Sequence, residues 1–286
     1  MNATPPNWLQ TIDTYQFGRP RTGAVYLVRG ERAALVESGT AASGRRLASR
    51  LRDEDLAHVF VTHVHLDHAG GAGDLAAGHP EATVVVHPRG ARHLSNPQRL
   101  IDSARDASSA LFPLYGEPRP VPEHQVISAS EGDRFDLGRG IVLEPIESPG
   151  HAAHHLCFFE RSTRVLFCGD AVGNRGTPVE APLTVPPRFD LAKGLATLRR
   201  LKELEPSLLA FTHFGLAADA ASILDDYEIR LLEWFDRLRA MREKWSPEGI
   251  IARVLADPRY VHLSPLDRTL VEMCIRGGLM SLEADG

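Results

Sequence analysis

Cysteine is scarce in this chain. Its 286 residues include three, Cys157, Cys168 and Cys274. They are odd in number, widely scattered and without a Cys-x-x-Cys spacing, which argues against a disulfide framework or a thiolate metal site and suits buried thiols in a reducing compartment. Long apolar runs are missing as well. No uninterrupted stretch approaches the roughly 20 residues that would cross a bilayer, and Met1 to Leu9 lacks the basic start and apolar run of a secretion leader. Cytoplasmic residence, with no membrane contact, is the expectation. Basic excess is also absent: 32 Lys and Arg stand against 37 Asp and Glu, a formal net charge of -5. A surface built to neutralise phosphates is disfavoured, so nucleic acid is not an expected partner. With 43% apolar and 24% charged residues, the chain does not have the core-poor composition of a disordered protein. Its length suits one large domain, or a domain with a helical appendage, and no internal repeat is visible.

What is present is an alternation of short apolar runs with helical patterns. Ala24 to Val28 and Ala33 to Val36 flank the turn Arg29-Gly30-Glu31-Arg32 and read as a hairpin. Leu47 and Leu51 follow at helical spacing, and His58 to Thr62 is a β-branched run too short for a helix. Ala82 to Val86 is a further strand, and Gly90 to Leu114 reads as mainly helical. Arg134 to Leu137, Ile141 to Ile146, His155 to Phe159 and Val165 to Cys168 then suggest a second sheet. Leu191, Leu195, Leu198 and Leu201 mark a helix, before a buried strand at Leu208 to Phe211. Beyond Ala220 the pattern is helical, with Ile223, Tyr227, Leu231, Trp234 and Leu238 on one face and new helices starting at Pro247 and Pro265. The expected division is a catalytic unit over 1–220 and a helical extension over 221–286 packed on it. The Leu231, Trp234 and Leu238 stripe would face that unit or the second subunit of a homodimer.

The chemistry concentrates after Thr62, in His63-Val64-His65-Leu66-Asp67-His68. Any one of these histidines alone would be read as a surface or capping residue. Three imidazoles and a carboxylate within six positions are different, because they would repel when protonated and need partners when buried. A divalent cation bound to neutral imidazoles satisfies both demands. A strand end aims His63 and His65 to one side, and the turn beyond it swings Asp67 and His68 to a neighbouring point, so one loop can serve two metals.

The motif resembles that of the metallo-β-lactamase superfamily, His-x-His-x-Asp-His at a strand end followed by later histidine, aspartate and histidine ligands. Here these are His151 in Ser148-Pro149-Gly150-His151, Asp170 in Phe167-Cys168-Gly169-Asp170, and His213 in Phe211-Thr212-His213. The resemblance covers about residues 20 to 215. It implies an α+β fold, the αββα four-layer sandwich of two mixed β-sheets flanked by helices, with the C-terminal helical extension outside it. It also implies two divalent metals, zinc first, with iron or manganese as alternatives. His63, His65 and His151 would hold one; Asp67, His68 and His213 the other; Asp170 would bridge them. Such a pair favours a bridging hydroxide that attacks a small ester, thioester or lactone. Asp67 is the expected catalytic residue, either orienting that hydroxide or acting as a ligand alone.

Around this set, His87, His154 and His155 are expected to be structural. In many superfamily members the early hairpin ends in Asp-Thr-Gly, whereas this chain has Glu37-Ser38-Gly39; the longer arm is expected to support the metal loop without ligating. The turn Ala171 to Gly176 should lie over the metals, so Asn174 and Arg175, with Tyr115, are the expected substrate contacts. Asp170 turns the resemblance away from true β-lactamases and toward glyoxalase II. The acyl-homoserine lactonases share the ligands but carry a tyrosine where this chain has Gly173. A persulfide-dioxygenase-like oxidoreductase with one iron, and more remotely a phosphodiesterase or nuclease of the same fold, are the alternatives.

Overall fold

Every residue from Ala24 to Val28 is buried, which a sheet with one wet face would forbid. The explanation is a sheet covered on both sides. The computed structural model of the chain describes residues 4–175, 179–187 and 189–284. Its first sheet runs in spatial order through β1 (Leu9–Asp13), β2 (Ala24–Arg29), β3 (Ala33–Val36), β4 (Leu56–Phe60), β5 (Thr83–Val86) and β6 (Val126–Ser128). Strands β1 to β3 pair antiparallel and β3 to β6 parallel. The second sheet contains β7 (Phe135–Asp136), β8 (Val142–Glu147), β9 (Leu156–Glu160), β10 (Val165–Gly169), β11 (Leu208–Phe211) and β12 (Gly215–Ala217), again in order. Only β10 and β11 are parallel there. Both sheets are therefore mixed.

The helices follow from the connections. Parallel neighbours need crossovers, which α1 (Ala41–Arg50), α2 (Ala72–Gly78), α3 (Pro88–Ser95), α4 (Gln98–Ala107) and α5 (Phe112–Tyr115) supply on the first sheet and α6 (Leu191–Glu203) on the second. Three helices end the chain: α7 (Ala220–Arg242), α8 (Pro247–Leu255) and α9 (Pro265–Ala284). Helix starts carry the expected oxygens: Thr40, Asp190 and Ser246 each accept a backbone N–H of their helix, satisfying groups that would otherwise be orphaned.

Strand alternation sorts the apolar residues into three cores. Tyr26, Val36, Phe60, Phe158 and Phe167 fill the space between the sheets. Val25, Leu35, Val59 and Val84 point the other way, onto Leu47 and Leu75 of the first helical layer. Cys157, Leu166 and Leu209 meet Leu198, and the same cluster contains Leu231, Trp234 and Leu238 of α7 with Ile250, Val271 and Ile275. The α7 stripe is thus buried in this core, among α6, α8 and α9, and is not free for a second subunit. Gly277 marks how closely α9 approaches this unit, because a Cβ there would lie 1.9 Å from the carbonyl oxygen of Thr184. Among the described residues no helix is long and apolar enough to cross a membrane.

Several elements differ from the sequence reading. β1 and β12 are edge strands, the first partly polar and the second three residues long, and α2 is rich in glycine and alanine, so none carries a strong periodic signal. The strand expected at His58 to Thr62 ends at Phe60, releasing Val61 and Thr62 into the loop that bears the histidines.

Candidate metal centre

Four loop segments converge at one end of the sandwich: those after β4, β8, β10 and β11. Hydrogen bonds stitch them across the two sheets. Leu156 donates its backbone N–H to Thr62 at 2.8 Å and Ala24 donates to Thr212 at 2.7 Å, while the Tyr26 hydroxyl donates to the carbonyl of Phe211 at 2.6 Å. Gly169 precedes Asp170 in the left-handed region, at φ 51°, where a Cβ would meet the His155 ring at 2.5 Å; glycine is required on both counts.

All seven residues expected from the sequence meet here. The Nε2 atoms of His63 and His151 lie 2.9 and 3.0 Å from Nδ1 of His65. A second group gathers Asp67, His68 and His213, with His213 Nε2 at 3.6 Å and His68 Nε2 at 3.9 Å from the Asp67 carboxylate. Within each of the two triads one donor atom per residue lies within 4.8 Å of the others. Asp170 stands between them. Its Oδ2 is 3.4 Å from His151 Nε2, and its Oδ1 is 3.4 Å from both His68 Nε2 and His213 Nε2.

The sequence model of the Metallo-beta-lactamase superfamily matches residues 18–213, the span that contains all seven of these residues. The chain belongs to this superfamily. Among its relatives, a metallo-beta-lactamase fold-containing protein of Sulfurisphaera tokodaii is 29% identical over 219 residues, 75% of this chain and 81% of that protein. A hydroxyacylglutathione hydrolase of Hahella chejuensis is 30% identical over 120 residues, 41% of this chain and 34% of its own length. The thioesterase pkgB of Emericella nidulans is 29% identical over 163 residues, 55% and 38%. The match thus spans well under half of the length of these last two relatives. In three dimensions the crystal structure of an archaeal superfamily protein from Sulfolobus tokodaii matches with a TM-score of 0.72 at 24% identity, covering 97% of this chain and all of that one. A family protein from Thermus thermophilus matches at 0.70 and 21%, covering 98% and 95%. At such identities the likeness is one of fold.

The superfamily chain holds its imidazoles from behind. His151 Nδ1 donates to the carbonyl of Leu183 at 2.8 Å, leaving Nε2 as the free lone pair of the neutral ring. His68 Nδ1 faces Glu37 Oε1 at 2.8 Å, and the same oxygen accepts Thr62 Oγ1 at 2.7 Å and Thr212 Oγ1 at 3.0 Å. Thr62 Oγ1 in turn receives His63 Nδ1 at 3.0 Å. Glu37, 1% exposed, therefore orients imidazoles of both triads and is itself in neither. Carboxylates behind imidazoles fix the tautomer and raise the basicity of the outward nitrogen.

Charge is divided unevenly between the triads. Burial, then the neighbouring imidazoles, hold the His63 and His65 pKa values well below the ordinary range. Burial opposes protonation of His68 too, but Asp170, Glu37 and Asp67 outweigh it and raise its pKa well above normal; His213 is raised in the same way, chiefly by Asp170. Asp170 is held well below the carboxylate range because His68, His213 and His151 outweigh its burial. Among the described residues, His68 Nε2 and Asp170 Oδ1 are buried without a hydrogen-bond partner, a costly state for polar atoms. Converging imidazole lone pairs, two carboxylates and unpartnered buried atoms fit a pair of divalent cations.

The neighbouring histidines are engaged in hydrogen bonds of the framework, and His154 also lines the cavity. His155 Nδ1 pairs with Ser148 Oγ at 2.8 Å and its Nε2 accepts the Asp170 N–H at 3.1 Å. His87 accepts the Arg89 N–H and caps α3. His154 Nε2 accepts the Val64 N–H at 3.2 Å, a bond that needs the neutral ring; burial, and next His87, lower its pKa to about 4. The unfolded state then binds the proton first as pH falls below about 6.5. Stability from this group is complete above that pH and lost progressively down to about pH 4, by at most about 3 kcal/mol. Urea unfolding at pH 7, 6, 5 and 4.5 should show a shallower acid slope for His154→Gln; parallel slopes would remove the assignment.

A cavity of about 650 Å³ opens over the centre, with His65, Asp67, Asp170 and His213 on its floor. Tyr115 and Asn174 line it as expected. Arg175 does not: it faces a separate groove with Asp226 and Arg230, because its backbone is bonded to His213 and Phe214 and its side chain projects away from the cavity. Gly176, the end of that turn, lies outside the described residues. Phe189 is core, packed on Phe235. Two contacts had no warning in the sequence. Gln16, buried in a short 3-10 turn, donates Nε2 to Asp67 Oδ2 at 3.2 Å. Arg19 donates to Asp267 and Ser264 of the α9 start, each at 2.7 Å, fastening the β1–β2 connection across the cavity. Each joins residues brought together only by the fold, Arg19 and Asp267 being 248 positions apart.

Proposed function

We propose that the chain is a dinuclear metal-dependent hydrolase of a small ester, thioester or lactone. The observation that carries this is the placement of Asp170, with one oxygen toward His151 of the first triad and the other toward His68 and His213 of the second. His63, His65 and His151 would hold one cation and Asp67, His68 and His213 the other, with Asp170 shared. When bound, two divalent cations supply a hydroxide nucleophile near neutral pH and polarise a carbonyl oxygen. Relatives named as a hydroxyacylglutathione hydrolase and a thioesterase support this reaction class.

The chain's own residues do the rest. Asp67 faces the cavity floor, with Oδ2 fixed by Gln16, and is placed to accept a proton or orient one as the nucleophile attacks. Tyr115 remains a phenol, since burial and then the Asp67 and Asp170 carboxylates raise its pKa well above normal; it is a hydrogen-bond donor to the substrate. The apolar walls, with Val64, Leu66 and Leu183 among them, exclude bulk water and strengthen these contacts.

The test is metal quantification of the purified protein beside a screen of thioesters, lactones and phosphoesters. Two equivalents of zinc, iron or manganese per chain with ester turnover are expected. Chelation should abolish turnover and two equivalents of metal restore it. One iron with thiol-dependent oxygen uptake and no ester turnover would replace the hydrolase reading by the oxygenase one.

A further inference from the structure

The cavity has more charge than its floor requires. Beyond the floor, its charged lining residues are Arg19, Arg21, Arg92, Arg99 and Asp267. Arg19 and Asp267 neutralise each other. Among the described residues no carboxylate lies within 4.0 Å of the guanidinium of Arg21, Arg92 or Arg99, although Arg29, Arg32, Arg105 and Arg276 are all paired elsewhere on the surface.

Arg92 of α3, His93 and Arg99 of α4 all line this one cavity. Arg92 Nε lies 3.4 Å from His93 Nε2. Burial, followed by the fields of Arg92 and Arg99, lowers the His93 pKa. Guanidiniums that line one cavity without a carboxylate partner offer charge-assisted hydrogen bonds to an anion bound there. Much of the remaining lining is apolar. Leu100, Ala104 and Ala107 of α4 contribute, as do Leu183, Leu270 and Met273. The small residues of α4 leave width for a chain, and the volume suits a ligand of metabolite size.

We infer that the substrate is an ester or thioester with an apolar body and an anionic group, phosphate or carboxylate, remote from the scissile carbonyl and bound by Arg92 and Arg99. The inference rests on the hydrolase reading for its reaction and on the cavity lining for its substrate class.

The experiment compares octanoyl thioesters of N-acetylcysteamine, 3-mercaptopropionate and pantetheine 4′-phosphate on the metal-loaded protein, at low and high salt. The expected result is a kcat/KM about tenfold or more higher for an anionic member, carried by KM and shrinking as salt rises. Preference for the phosphate or the carboxylate member identifies the anion. In Arg92→Glu/Arg99→Glu the ratio of anionic to neutral kcat/KM should fall to one or below. The neutral variants Arg92→Gln and Arg99→Gln serve if the double reversal fails to fold. Equal kcat/KM at low salt, or a preference that survives loss of both arginines in a folded variant, overturns the inference. If no ester is turned over, the hydrolase reading fails. Calorimetric binding of octyl phosphate, compared between the wild type and the arginine variants, then still decides the cavity: arginine-dependent binding supports it, and binding that is absent or indifferent to them overturns it.

Discussion

Asp67→Ala is expected to lower kcat/KM by roughly 10³-fold, a loss in the range of removing a positioned proton acceptor and a metal contact together. Asp67 lies in the second triad, 3.6 Å from His213 Nε2, and is the loop carboxylate held by Gln16 on the cavity floor. Its removal should deplete the second metal while sparing the triad of His63, His65 and His151. Metal analysis of the variant separates the two roles. One equivalent retained, with turnover lost, fits ligation; two equivalents retained, with turnover lost, would assign Asp67 to proton handling alone. Activity within tenfold of wild type would remove it from the mechanism.

Glu37→Ala should be the most disruptive change outside the seven convergent residues. One buried oxygen accepts Thr62 Oγ1, Thr212 Oγ1 and the His68 imidazole. Cutting it away leaves three buried donors without their acceptor and His68 without its carboxylate. Breaking a buried charged network in this way costs about 3 to 5 kcal/mol. Metal affinity should fall by roughly 10- to 100-fold, the usual effect of losing a carboxylate behind a ligand. Glu37→Gln keeps the shape but not the charge, and separates the effects: a stability close to wild type with weakened metal binding would show that the negative charge serves the metal. Urea unfolding of the metal-free proteins and competition with a chromophoric chelator give the two numbers. Unchanged metal affinity in both variants would reduce Glu37 to a packing residue.

The seven side chains were legible in the sequence because a metal site leaves a chemical trace that folding does not erase. His63, His65, Asp67 and His68 crowd into six positions, and residue type alone makes such crowding untenable without a cation. His151, Asp170 and His213 were found through the resemblance, and each follows a glycine or a strand end that frees it to turn inward. The strands were legible for a related reason: with both faces covered, runs such as Ala24 to Val28 are apolar throughout. β1, α2 and β12 were not, since their short or weakly patterned sequences gain order only from neighbours.

By itself the sequence carried the alternation of strands and helices and the crowded His63–His68 motif, because hydrophobic patterning and residue type are local properties, and through the resemblance it implied the sandwich fold and the remaining candidate ligands. Tertiary structure alone decided that Gln16 steadies Asp67, that Arg19 and Asp267 clamp the cavity, and that Arg92 and Arg99 line it while Arg175 faces a separate groove. Those relations depend on distances between segments far apart in the chain, and a hydrogen bond or an ion pair exists only where the fold brings its two ends together.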